Sequence, residues 1–446
     1  MGKIVLLQLF IVLAVTLNYC LSWSLPKPIE PFMSGEKMLE AIKADPDHQY
    51  AYEIKDEFGK HVRVPLDYNN PSDGTIGIYY FTSEKEFNPA WPTMLYFQGG
   101  PGGSSHGPSA FKWLENWNVV FMEYRGMALS YPDQVETLMK TKYFTSENVA
   151  RDASEIVKAL GVDKVSVFGS SYGTLTATIF ASLFPNQVRS VILEGIIYKG
   201  DEYLWSSSHR QKILQRHFNH MPTELQDLVL KFSNMPGVNP AWFSRMGQSA
   251  MYSDNFSELL TYTVNETLSG PEEQVKEYLS ADEDDIFNMD DMFFFSPLFF
   301  LHIGCKELSG FDDYATFNFV FEGRKLVPVK QTVIKSACTQ MNFDPSLIKD
   351  YDARDYKISV PVFYVQGTFD GATTAPTGIW HYKNVPKAKA QLFLVKGGGH
   401  GPFISKLDSV PYLNLLKLML DGIQVPKDVF NTKYKEDFPD WVTTLK

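Results

Sequence analysis

The 446-residue chain predicts an α/β fold: a mostly parallel central sheet with helices on both faces, interrupted by an inserted, mainly helical cap domain. Three observations predict it. Short Val/Ile/Phe-rich runs alternate with helix-length stretches in two separated blocks, the pattern of βαβ units. A Gly-x-Ser-x-Gly stands between one such run and the helix that follows it. An Asp and then a His end two strands of the second block.

The elements follow in chain order. His61–Tyr68 and Ile76–Phe81 read as an antiparallel pair around Asn69-Asn70-Pro71-Ser72-Asp73-Gly74, a cluster of turn formers. The first block holds strands over Thr93–Phe97, Trp117–Tyr124, Lys164–Phe168 and Ser190–Glu194, with helices over Glu147–Leu160 and Thr174–Phe184 between the last three. The second block holds Val360–Gln366 and Gln391–Val395, then a helix over Tyr412–Leu420. Residues from about 201 to 352 break the rhythm with helical patterns at Ser207–Phe218, Glu224–Phe232 and Glu272–Leu279, an acidic run Asp282–Asp291 and an aromatic patch Phe293–Phe300. The expected division is therefore 1–22 leader, 45–200 core, 201–352 cap and 353–446 core.

Composition narrows the class. With 44% hydrophobic, 14% aromatic and 21% charged residues, the chain is neither disordered, collagen-like nor a coiled coil. A net charge of −11 disfavours nucleic acid and anionic membrane surfaces as partners. Residues 1–22 combine Lys3 with the apolar stretch Ile4–Leu17, which suits a secretory signal and is short for a bilayer span of about 20 residues. The reading is a secreted protein or one of the endomembrane lumen (extracellular, vacuolar or lysosomal), without stable membrane insertion after leader cleavage. Cys305 and Cys338 then remain as a pair suited to a disulfide, with two buried thiols as the alternative. The sequons Asn255-Phe-Ser257 and Asn265-Glu-Thr267 fall in a stretch read as exposed.

The chemistry lies in three places. In Gly169-Ser170-Ser171-Tyr172-Gly173, a Ser on a tight strand-to-helix turn projects its hydroxyl above the sheet, and the glycines relieve crowding. Upstream, Gln98-Gly-Gly-Pro-Gly-Gly103 follows a strand and suits backbone N–H donors to an oxyanion, with Gly100 and Tyr172 as the expected pair. Downstream, Asp370 and the glycine-flanked His400 complete the order Ser…Asp…His of an α/β-hydrolase triad. Ser171 is the expected nucleophile, His400 the general base and Asp370 the group that orients it. Such a triad needs no cofactor and no metal. His106 is the rival base, read as loop or pocket lining, and His217-x-x-His220 reads as an exposed helix face.

Gly99-Gly-Pro-Gly102 ahead of Gly-x-Ser-x-Gly resembles the proline iminopeptidase family of serine peptidases, with Gln98 where that family usually has His. Glu123-Tyr-Arg-Gly-Met-Ala-Leu-Ser130 is similar to its D-x-R-G-x-G-x-S segment, with Glu123 for Asp and Ala128 for Gly. Val64-Pro-Leu-Asp-Tyr68, Ala159-Leu-Gly-Val-Asp-Lys164 and Leu183-Phe-Pro185 look like the secreted tripeptidyl-aminopeptidase branch. The resemblance implies an α/β-hydrolase fold and a serine aminopeptidase that releases proline or a short di- or tripeptide from small peptides. It also implies carboxylates that anchor the substrate amine. Glu194, Asp201, Glu202 and Asp282–Asp291 are the candidates, each open to a structural reading as well. The aromatics Phe293–Phe295, Phe299 and Phe300 read either as pocket lining or as core. The alternatives are a serine carboxypeptidase-like peptidase, an esterase or lipase with the same triad, and an inactive binding module.

Overall fold

The computed structural model describes residues 59–199 apart from 83–85, 104, 106–108, 128, 131–136 and 138–140. It also describes 214–280 in part, 299, 302–308, and 351–425 apart from 396–397. Eight strands form one sheet: β1 Gly59–Pro65, β2 Thr75–Thr82, β3 Thr93–Phe97, β4 Asn118–Met122, β5 Val165–Ser170, β6 Val188–Glu194, β7 Ile358–Gly367 and β8 Lys387–Val395. Their order is β1-β2-β4-β3-β5-β6-β7-β8. The β1–β2 and β2–β4 pairs are antiparallel, and every pair from β4 through β8 is parallel.

Alternation along the strands covers both faces. Leu95, Phe97, Val165, Val167, Val191, Leu193 and Tyr364 join one core cluster with α1 Ser146–Leu160 and α2 Tyr172–Leu183. Met94, Tyr96, Phe168, Ile192, Phe363 and Val365 join the other, which is closed by Phe111 and by Leu416, Met419 and Leu420 of the C-terminal helix Val410–Leu420. That helix is fastened to the face of the sheet, where the Ser166 and Ser190 hydroxyls both donate to Leu420 O, at 2.6 and 2.7 Å. The side chain of Thr145 caps α1 by accepting from Asn148 N, and Gly161 ends it in the left-handed region at φ 69°.

Between the two halves of the sheet, α3 Thr223–Ser233, α4 Phe256–Leu268 and α5 Glu272–Ser280 bury their own apolar cluster, including Leu225, Val229, Leu260, Val264 and Val275. Helix α4 was not expected from the sequence, although Leu260, Val264 and Leu268 repeat at helical spacing and all three are buried. Asn265 is an exposed residue of this helix. The insertion leaves and re-enters the core at one spot, where Ala353 N donates to Lys199 O at 2.9 Å. Phe299, Ile303 and Leu308 pack into the main core cluster rather than with α3–α5. A second unexpected helix, α6 Ala375–Asn384, bridges β7 and β8; its buried residues run almost all round it, so it lacks the polar stripe that marks a surface helix.

Candidate active site

The parallel strands bring Ser171, Asp370 and His400 to one edge of the sheet. Ser171 follows β5, Gly195 follows β6, Asp370 follows β7 and His400 follows β8. This is the carboxyl edge, where open α/β sheets bind ligands.

Ser171 sits at φ 54° and ψ −124°, a conformation that side chains rarely adopt, and its N–H donates to Glu194 O at 2.9 Å. The flanking glycines are steric necessities. A Cβ on Gly173 would lie 2.0 Å from Phe97 O, and one on Gly169 would lie 2.4 Å from Gly173 O. Helix α2 starts at Tyr172, so its first-turn N–H groups add positive potential beside Ser171. The Gly-rich loop lies directly against Ser171: a Cβ on Gly99 would be 2.9 Å from Ser171 Cβ. Gly100 has φ 122°, and a Cβ there would come within 2.5 Å of Gly102 N. Gln98 closes this loop, its Nε2 donating to Gly103 O at 3.1 Å, while Tyr124 Oη donates to Gln98 O at 2.9 Å.

His400 and Asp370 are in contact. His400 Nδ1 lies 3.0 Å from Asp370 Oδ2 and 3.1 Å from Oδ1. The carboxylate is held from every side. Ala372 N and Thr373 N donate to Oδ1 at 2.9 and 2.8 Å, and Thr373 Oγ1 and Gln366 Nε2 donate to Oδ2 at 2.8 and 2.9 Å. Sequence reasoning missed Gln366 and Thr373; a Gln inside an apolar strand just before Gly367 was the available signal. Burial opposes protonation of His400, but the charge and hydrogen bond of Asp370, with the charge of Glu194, raise its pKa above the ordinary value. The imidazole lies over Gly195, where a Cβ would be 3.0 Å from His400 Cε1. His400 and Ser171 thus flank the same two residues, Glu194 and Gly195.

Glu194 is not a substrate-facing carboxylate, contrary to the expectation. It is fully buried, and Oε1 accepts from Phe403 N at 2.6 Å and Ile404 N at 3.1 Å. The end of a central strand leaves its side chain inside the protein, pointing to the base loop. His217 is also corrected: it is buried, with its ring 6.1 Å from that of Phe369, next to the triad acid, whereas His220 is exposed. Phe299 is core, packed against Tyr124 and Tyr172 at 5.8 and 6.0 Å. Glu202, Asp201, Asp282–Asp291, Phe293–Phe295, Phe300, His106, Asn255, Cys338, the leader 1–22 and the side chain of Cys305 lie outside the described residues. Among the described residues no group of three or more His, Cys, Asp or Glu is arranged to hold a metal, and no helix is long and apolar enough to cross a membrane.

A carboxylate not anticipated from the sequence lies beneath the elbow. Glu307 accepts from Ser146 N at 2.6 Å and from Ser146 Oγ, and Ser146 Oγ is 2.7 Å from Tyr172 Oη. Burial pushes Glu307 up to about 7 against the pull of those hydrogen bonds.

Comparison with known proteins agrees with this architecture. The α/β hydrolase fold family matches residues 92–407, well over half of the chain. Proline iminopeptidase aneH of Aspergillus aculeatus is 30% identical over 156 residues, 30% of this chain and 35% of that protein. The proline iminopeptidase of Aeromonas sobria is 31% identical over 150 residues, again 30% and 35%. The tripeptidyl aminopeptidase of Streptomyces lividans is 33% identical over 63 residues, 14% of this chain and 12% of that protein. The match thus spans about a third of the length of the two iminopeptidases, and these relatives are the kinds of protein to which the motifs pointed. From the strand order, the elbow and the family match together, the chain belongs to the α/β hydrolase fold family.

Proposed function

We propose that this chain is a serine aminopeptidase that removes proline or a short di- or tripeptide from the amino terminus of peptides. The observation that carries the reading is the hydrogen-bonded His400–Asp370 pair on the strand edge that also carries Ser171 in its strained elbow. Similarity to proline iminopeptidases and a tripeptidyl aminopeptidase supports the peptide class.

In this mechanism His400 Nε2 takes the Ser171 hydroxyl proton as Oγ attacks the scissile carbonyl. Asp370, held by four protein donors besides His400, keeps Nδ1–H pointed at itself and balances the imidazolium. The tetrahedral oxyanion accepts from the N–H groups of Tyr172 and Gly100. The carbon–nitrogen bond then breaks, the leaving amine takes its proton from His400, and water repeats the sequence on the acyl-enzyme. No metal or cofactor enters these steps. The buried state of Glu194 leaves recognition of the substrate amine to the segment 201–352, in which Glu202 remains a candidate. Export belongs to the same proposal: leader 1–22, a Cys305–Cys338 bridge and glycans on Asn255 and Asn265 all suit an exocytic route.

The test is a panel of amino-terminal amide reporters (prolyl, alanyl, dipeptidyl and tripeptidyl) with a fluorophosphonate probe. Ser171-dependent labelling and release of the amino-terminal unit are expected, with a loss on the order of 10³-fold or more in Ser171→Ala. Turnover confined to esters or to carboxyl-terminal residues would overturn the aminopeptidase reading. Labelling unchanged in Ser171→Ala would overturn the nucleophile.

A further inference from the structure

Two loops must be held in register for the triad to work, and one buried residue touches both. Its carbonyl accepts from Ser171 N at 2.9 Å, and its carboxylate accepts from Phe403 N and Ile404 N, three and four residues beyond His400. We infer that Glu194 is a positioning residue for the catalytic base, a second carboxylate that locks the His400 loop and sustains the imidazolium formed during acyl transfer. This rests on the serine-hydrolase reading above and assigns a role that the triad itself does not include.

The loop needs such a lock. On the β7 side it is pressed against the strand end: a Cβ on Gly367 would lie 2.0 Å from Gly399 O and 2.2 Å from Gly398 O, and Phe369 N donates to Gly398 O at 2.9 Å. On the β6 side Glu194 supplies the acceptor for Phe403 N and Ile404 N, at the point where the chain turns into a short helical turn, Ile404–Lys406. Phe403 is fully buried and packs on Tyr412 at 5.8 Å, so its amide bonds inside the protein, where the carboxylate is an acceptor at 2.6 Å. An amide oxygen could accept those two bonds equally well; what it would lack is charge. A carboxylate beside an imidazole that must become cationic favours the charged form, the same direction in which Asp370 acts.

Among the described residues the titratable groups around this centre are few. Asp370 comes from the β7 loop and Glu194 from β6; Tyr96 on β3 feels the Glu194 charge, and His217 stands beyond Phe369. Asp370 and Glu194 both raise His400.

The experiment is the pH profile of kcat/KM for a small activated acyl ester, with wild type, Ser171→Ala, Glu194→Gln and Glu194→Asp. Wild type turns over through Ser171. In Glu194→Gln the hydrogen-bond acceptor stays and the charge goes, so the acid limb moves to lower pH by about half a unit or more, with kcat reduced and KM little changed. In Glu194→Asp the charge stays but the reach shortens by one methylene, so kcat falls while the acid limb stays near wild type. An acid limb for Glu194→Gln that superimposes on wild type, with only thermal stability lowered, would leave a structural role and overturn the inference. Should Glu194→Gln not fold, a wild-type kcat in Glu194→Asp would overturn it instead. No Ser171-dependent turnover in wild type would overturn both this inference and the functional reading, whereas turnover with an unmoved acid limb would overturn this one alone.

Discussion

Glu307→Gln is the perturbation whose effect follows most directly from the geometry. Glu307 ends the π-helical turn Ile303–Glu307 and is buried at the amino end of α1, where Ser146 is the first helical residue. Burial raises its pKa from 4.5 to about 7; hydrogen bonds from Ser146 lower it, the Glu147 charge raises it further, and Lys199 lowers it. The native state therefore holds a proton more tightly than the unfolded chain. The stabilisation from that proton is complete below pH 4.5 and is lost as pH rises through 7. A difference of roughly 2.5 pH units at 1.36 kcal/mol per unit is about 3 kcal/mol, of which about 2.5 kcal/mol develops between pH 5 and pH 8. Gln keeps the shape and the acceptor without the charge. The stability of Glu307→Gln relative to wild type should then rise by about 2–3 kcal/mol from pH 5 to pH 8. Urea unfolding followed by tryptophan fluorescence at four pH values reads this directly, since all other titrations cancel in the difference. Parallel pH–stability curves for the two proteins would refute the reasoning. They would mean that Glu307 titrates alike in folded and unfolded chains.

Gly173→Ala places a methyl 2.0 Å from Phe97 O, a backbone atom of the neighbouring strand, so it should cost more than about 3 kcal/mol and give little soluble protein; soluble yield and melting temperature check it. Arg125→Ala should destabilise by about 3–5 kcal/mol in chemical unfolding, because it leaves Asp152 buried without the guanidinium that now binds both its oxygens, Nε at 2.7 Å and Nη2 at 2.5 Å. Arg125→Lys should recover little of that, since Arg125 also donates to Leu66 O, Tyr143 O and Pro65 O, and a single ammonium cannot reach them all.

Some of this protein was legible in one dimension because local rules act alone there. Strand β3 lies at Thr93–Phe97, where its apolar run stands, since a strand buried on both faces is continuous in sequence. The elbow was legible because a Ser at positive φ between a strand and a helix needs small neighbours at two fixed offsets. Helix α6 was not, because a helix buried nearly all round has no amphipathic stripe to read. Helices α3, α4 and α5 share a core of their own, and the acidic run Asp282–Asp291 lies outside the described residues.

By itself the sequence determined the order of the eight strands, the glycine-relieved turn and the chain order of Ser171, Asp370 and His400, because strand runs and turn residues follow local spacing and steric rules. Only the tertiary structure decided what each buried polar group does. The Glu194 carboxylate accepts from the loop after His400, Gln366 and Thr373 hold Asp370, and Glu307 reaches across 161 positions to Ser146. The physical reason is that a buried carboxylate or amide takes its role from whichever donors the packed elements bring to it, and those donors lie far away along the chain.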